Sequence, residues 1–173
     1  GFAAIIVALI LAQSFLAAGQ NPRNQQQAQA LVKVGPTYSS EPENSAFLAV
    51  QNETNPTTRL TLADTFLTTY PASELAAYVQ RFRMEAFVRS NKPKEAVAAA
   101  ETAMDLEDKF LANLMAKADA DAATKNRPKN SPPPLDKNSP QFKAFVDQTQ
   151  KSKLYYYQNI MNAYQALIEK VAP

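Results

Sequence analysis

The sequence predicts an all-α protein, and three observations carry that prediction. The last glycine of the 173 residues is Gly35, so the remainder of the chain lacks the residue that most tight β-hairpin turns need. From position 44 onward apolar residues recur every three or four positions, with almost none of the alternation typical of β-strands. Prolines and short polar runs interrupt this pattern where helices would begin and end.

An apolar segment comes first, and we expect a membrane-type helix over residues 1–22. Phe2 to Ala18 contains two polar residues and no charge, which is near the lower limit for crossing a hydrocarbon core about 30 Å thick. The alternative is a cleaved secretory signal, with small residues at 17–19 before the cut. The residues we assign to anchoring or assembly are Phe2, Ile5, Ile6, Leu9 and Phe15.

The same segment resembles the N-terminal helix of type IV pilin-like proteins. Gly1-Phe2 opens an apolar stretch, and Pro22 lies where such helices commonly have a proline. The resemblance implies a filament subunit whose N-terminal helices pack in the filament core. Pilins carry an acidic residue at the fifth mature position, where this chain has Ile5 or Ile6.

A polar linker over 23–43, of which 23–34 could form a short helix, leads to a helical domain over 44–173. The glutamines and helix breakers of the linker distinguish its composition from that of the domain. We expect helices at about 44–52, 56–69, 73–90, 93–123 and 140–171. The five prolines within 124–140 predict an extended Pro-rich loop before the last helix.

Residues 80–108 resemble one tetratricopeptide (TPR) repeat, a helix-turn-helix unit of about 34 residues. Phe87 falls on the family's large aromatic position, residues 90–92 on its turn, and Ala96 and Ala103 on its two small positions. Ala100 stands where the family usually has an aromatic residue. Other marker positions of the family are occupied here by Gln80, Met84 and Asp108.

The resemblance covers about residues 44–120 and implies an antiparallel helical-hairpin domain that binds proteins. Independently of the family, Ala96, Ala100 and Ala103 share one stripe of their helix, so a facing helix can approach closely. The concave face of such paired helices would grip a partner helix or peptide. We expect polar contacts to that partner from Arg81, Arg83 and Arg89.

The final helix carries an apolar stripe that we expect to pack on the rest of the domain. Its members follow three-four spacing: Leu154, Tyr157, Met161, Tyr164 and Ile168. Tyr155 and Tyr156 would then point away from the domain. Because tyrosine is enriched at protein interfaces, we expect both to be partner contacts.

The composition excludes most catalytic sites. The chain has no histidine and no cysteine, so a Ser-His-Asp triad, a thiolate nucleophile and the commonest metal ligands are all missing. A net charge of +2 is too mild to indicate nucleic-acid binding. We therefore expect no enzyme activity, no cofactor and no metal site.

These observations favour a membrane-anchored, TPR-like scaffold of a bacterial cell envelope, with its helical domain outside the cytoplasm. Its partners would be other protein subunits, copies of itself among them, and the membrane through its N-terminal helix. Two alternatives stay open on the same residues. One is a subunit of an extracellular pilus-like filament, and the other is an accessory subunit of a membrane protein complex.

Overall fold

The computed structural model describes residues 34–124, 127–128 and 131–169, and these residues form five α-helices and no β-strand. The helices are α1 Glu41–Asn52, α2 Pro56–Thr69, α3 Ala76–Arg89, α4 Pro93–Ala123 and α5 Pro140–Glu169. They lie in one compact unit that extends over Val32–Pro173. The all-α class predicted from the sequence is confirmed.

The predicted anchor lies outside the described residues. This applies to the membrane-type helix over 1–22, to the linker up to residue 33, and to the assembly residues Phe2, Ile5, Ile6, Leu9 and Phe15. Among the helices of the described part, none combines the length and the apolar character that crossing a membrane requires.

Side-chain caps determine where the first two helices begin. The Ser40 hydroxyl accepts a hydrogen bond from the backbone N–H of Glu43 (3.3 Å), so α1 begins at Glu41, three residues before the predicted start. Asn55 Oδ1 accepts from two backbone N–H groups of the first turn of α2, at 2.9 and 3.2 Å. Both helices therefore begin where a capping side chain replaces their missing intrahelical bonds.

The turns on either side of α3 differ in construction. Before α3, residues 71–75 form a turn, so the helix begins three residues later than predicted. Ser73 Oγ accepts the N–H of Leu75 (3.0 Å) and donates to the buried Glu43 carboxylate (2.5 Å), which closes this turn. After α3, Asn91 adopts a φ of 55°, a left-handed conformation that asparagine tolerates better than most residues.

Each helix packs mainly on its neighbours in sequence. The contacts run from α1 to α2, α2 to α3, α3 to α4 and α4 to α5, and α1 also touches α3. The core is accordingly divided: one cluster joins α1, α2 and α3, a second joins α3, α4 and α5, and a third holds the Pro-rich loop against α4 and α5. Such serial contacts are typical of stacked helix pairs.

The second cluster is built on a face of α4 that carries small side chains, which we call the alanine face. It consists of Ala96, Ala99, Ala100 and Ala103, all buried. Met84 and Phe87 of α3 and Tyr156 of α5 pack against it. The sequence predicts that a facing helix lies close to these alanines, and α3 does so through Met84 and Phe87. Because α4 itself contributes only small side chains to this contact, the side chains of α3 and α5 can pack close to the α4 backbone.

Helix α5 packs through a different face from the one predicted. Five residues expected to be buried, which we call the α5 stripe, are 51–70% exposed: Leu154, Tyr157, Met161, Tyr164 and Ile168. Tyr156, expected to point away, is instead fully buried among the alanines. Its neighbours on the packed face include the small residues Ser152 and Ala163. This face fits a close approach to α4, whereas the bulkier stripe does not.

Overpacking the alanine face should destabilise the domain. Ala100 is fully buried beneath side chains from two helices, so we expect Ala100→Leu to lower the free energy of unfolding by about 1–3 kcal/mol. The matched control is Ala98→Leu, at an exposed position of the same helix, with an expected change within about 0.5 kcal/mol. Urea unfolding followed by circular dichroism measures both. Equal effects of the two substitutions would contradict the close packing described.

Candidate functional site

The arginines predicted as partner contacts are largely engaged within the fold. Arg81 Nε lies 3.7 Å from Glu85 Oε1, and Arg59 of α2 reaches Oε2 of the same carboxylate at 3.4 Å. The guanidinium groups of Arg81 and Arg59 lie over the Phe82 ring, 5.3 and 5.5 Å from its centroid. These contacts join α2 to α3 and leave the Arg81 guanidinium committed to the fold.

Arg83 bridges the same two helices at another point. Its Nη2 lies 2.9 Å from Asp64 of α2, its Nη1 donates to Gln80 at 3.0 Å, and its guanidinium lies 5.6 Å from the centroid of the Phe87 ring. Of the three predicted arginines, Arg89 is the exposed one. The structure therefore brings two of them into the packing between helices and leaves one at the surface.

The two predicted tyrosines have different roles. Tyr155 is 40% exposed, and its hydroxyl donates to Glu85 Oε1 at 3.3 Å. Burial and the adjacent Glu85 charge raise the pKa of Tyr155 to about 12. Tyr156 is fully buried, and its hydroxyl donates to Glu107 Oε1 at 2.8 Å. Tyr156 is therefore a core residue, and its prediction as a surface contact is wrong.

Tyr156 and Glu107 form a polar pair inside the contact between α4 and α5. Burial raises the pKa of Glu107, although the hydrogen bond from Tyr156 opposes that rise. Burial and the Glu107 charge raise the pKa of Tyr156. Glu107 Oε2 is also buried, without a hydrogen-bond partner among the described residues. The tyrosine hydroxyl thus satisfies one oxygen of this carboxyl, and the hydrogen bond restricts the rotation of α5 about its own axis.

The surface that the sequence did not identify as a site is the α5 stripe. Its five large apolar side chains are each more than half exposed. From 154 to 168 the helix contains no charged residue, and Gln158, Asn162 and Gln165 accompany the stripe. Contiguous exposed apolar patches of this kind mark interaction surfaces in soluble proteins. The three-four spacing does reveal the stripe, but sequence reasoning alone predicts that it packs in the core.

The Pro-rich loop is tied to the end of α4 by Asp121. Its Oδ1 lies 2.9 Å from Arg127 Nη1, and its Oδ2 accepts the backbone N–H of Leu135 at 2.9 Å. Leu135 itself is buried against Ala118 and Phe142. The Leu135 N–H and the Arg127 side chain hold the pKa of Asp121 down at about 2. The loop is therefore attached to the domain at defined points.

The chain's acidic residues do not converge on a metal site in the part of the chain that the structure describes. No three of them there are grouped closely enough to hold an ion. Glu101, Asp105 and Asp108 share one side of α4, and all three are exposed. Asp108 forms an ion pair with Lys153 of α5.

Comparison of the chain with protein-family models, with curated proteins and with solved structures finds no match. A function for this chain therefore rests on its own geometry.

Removing the Tyr156 hydroxyl should destabilise the contact between α4 and α5. Tyr156→Phe leaves the half-buried Glu107 carboxyl without its donor, so we expect a loss of about 1–3 kcal/mol in the free energy of unfolding. Tyr157→Phe, at the adjacent exposed tyrosine, is the matched control and should change little. Thermal and urea unfolding at neutral pH measure both. A Tyr156→Phe protein as stable as the control would contradict the role assigned to this pair.

The Asp121 contacts should give the domain an acid-sensitive component of stability. Because the pKa of Asp121 is lowered from 3.8 to about 2 in the fold, its contribution is fully present above pH 3.8 and is lost as the pH falls through about 2. We expect Asp121→Asn to be less stable than the unmodified chain at pH 6, with the difference shrinking towards pH 2. Asp105→Asn, at an exposed carboxylate of the same helix, is the control. Urea unfolding across this range is the measurement, and a pH-independent difference would contradict the assignment.

Proposed function

We propose that this chain is a non-enzymatic protein-interaction module that binds a partner helix through the α5 stripe. The observation that carries the proposal is the exposure of five large apolar side chains on one face of a regular helix. Exposing such a face to water is unfavourable, and covering it with another protein lowers the free energy of the system. The surface differs from the concave face expected from the sequence.

The spacing of the stripe supports a helical partner. Its residues are separated by three, four, three and four positions, which is the pattern that lets two helices interlock along a seam. A helix lying in such a seam contacts the stripe at every turn. An extended peptide or a flat surface would contact fewer of these side chains.

The proposal includes the scaffold and anchoring roles expected from the sequence. The serial packing of α1 to α5 supports a TPR-like stack that displays an interaction surface. The apolar composition of residues 2–18 supports attachment to a membrane. The proposal places this membrane in the cell envelope and the helical domain outside the cytoplasm. The scaffold would then hold its partner near that membrane.

Photo-crosslinking from the α5 stripe tests the proposal. A benzophenone amino acid in place of Tyr157, in the full chain in its native cells, should give crosslinks to protein of defined mass. The matched control carries the same amino acid in place of Met115, an exposed apolar residue of α4 outside the stripe, and should give little crosslinking. Crosslinks to lipid alone, or equal crosslinking from both positions, would overturn the proposal.

A further inference from the structure

We infer that the partner helix is α5 of a second copy of this chain, and that the two α5 helices pair in antiparallel orientation through their stripes. The inference deepens the proposed function and rests on it, because it names the occupant of the same surface. Four properties of the stripe support a second copy: its heptad pattern, its lack of charge, its area and the helix on which it stands.

The heptad pattern has different residues at its two kinds of position. Leu154, Met161 and Ile168 occupy the first, and Tyr157 and Tyr164 occupy the second. In an antiparallel pair residues of the first kind face residues of the second kind, so two of the three first-kind residues have a tyrosine opposite them, whereas a parallel pair stacks like on like. Antiparallel pairing thus sets each tyrosine against an aliphatic side chain or the Met161 thioether, a contact that sulfur and aromatic rings favour.

Charge favours the same orientation. No charged residue lies between 154 and 168, so a second stripe approaches without ionic repulsion and without desolvating an ion. The first half of α5 carries Lys143, Lys151 and Lys153, of which Lys151 pairs with Asp147 of the same helix and Lys153 with Asp108 of α4. A parallel pair would bring the Lys143 residues of the two copies to the same end, while an antiparallel pair sends them to opposite ends.

The exposed area suits a dimer. Side chains of this size, exposed by 51–70%, leave on the order of 600 Å² of surface on one copy. A symmetric pair would then bury about 1,200 Å² in total, which lies at the lower end of the range for specific interfaces. The stripe is self-complementary, as an interface with twofold symmetry requires.

The helix that carries the stripe is already formed. Another face of α5 is fixed to α4 through Tyr156 and its neighbours, so dimerisation need not form a helix from a disordered chain. The surface is also unlike that of a helix that binds in the plane of a membrane, which carries lysine and arginine on its polar face. Between 154 and 168 there are none.

The first test compares the mass of the full chain with that of two variants, under identical solution conditions. Met161→Glu places a charge at the centre of the stripe and should halve the mass found by sedimentation or light scattering. Met115→Glu makes the same change at an exposed methionine of α4 outside the stripe and should leave the mass unchanged. Circular dichroism of both variants checks that they are folded. A Met161→Glu protein with the mass of the unmodified chain would overturn the inference.

The second test determines orientation, and the absence of cysteine from the chain makes it unambiguous. The two antiparallel registers place Leu154 opposite Tyr164 of the second copy, or Tyr157 opposite Ile168. We expect an oxidised mixture of Leu154→Cys and Tyr164→Cys, or of Tyr157→Cys and Ile168→Cys, to form mixed disulfide dimers readily. Each variant alone should form few disulfide dimers. In an antiparallel pair of identical copies, the cysteine of one copy lies farther from the cysteine of the other than the limit of about 7 Å between their Cα atoms. Efficient dimers of single variants, as a parallel pair would give, would overturn the orientation.

The photo-crosslinking experiment separates this inference from the proposed function. Crosslinks from position 157 whose mass equals two copies of the chain support both. Crosslinks to a different protein, with an unmodified chain that is monomeric in the mass measurement, overturn the self-pairing and leave the interaction function in place. Crosslinks to lipid alone overturn both.

Discussion

The alanine face of α4 is the constraint on which the packing of the later helices depends. Its four small residues allow α3 and α5 to approach α4 closely, and two large residues, Tyr156 and Ile160, enter from the α5 side. A close contact excludes a second row of bulky side chains at the same level, because interiors are packed to near-crystalline density. The face of α5 that carries Ser152 and Ala163 therefore packs inward.

That constraint explains the exposed stripe. Helix α5 carries two apolar stripes whose centres lie about 120° apart around its axis, at 100° per residue. The alanine face admits one of them, and it admits the one with the smaller side chains. The stripe of larger residues consequently faces water. Covering it with another protein would lower the free energy. The packing of the core and the surface proposed to bind a partner are in this way two consequences of which face of α5 is buried.

The sequence predicts the helices better than it predicts which of their faces are buried. Prolines at 56, 93 and 140 mark the first residues of three helices, so their starts follow from local rules. The face that α5 buries depends instead on what α4 presents, a relation between residues that are about 50 positions apart. The arginines are a similar case: Arg83 is paired with Asp64 across two helices, and no local spacing encodes that contact. The alanines at 96, 99, 100 and 103 did contain part of the information, because a small-residue face leaves room opposite it for a large side chain such as that of Tyr156.

The polar pair between Glu107 and Tyr156 further favours burial of the observed face of α5 over burial of the stripe. A rotation of α5 that buried the stripe would remove more apolar area from water, so apolar burial alone does not select the observed face. The same rotation would move the Tyr156 hydroxyl away from Glu107, whose other carboxyl oxygen is already buried without a partner. A buried carboxyl without any donor is strongly unfavourable. Loss of the Tyr156–Glu107 hydrogen bond thus raises the free energy of the alternative packing, and the stripe stays at the surface. Polar groups at helix contacts fix register and orientation in this manner in coiled coils.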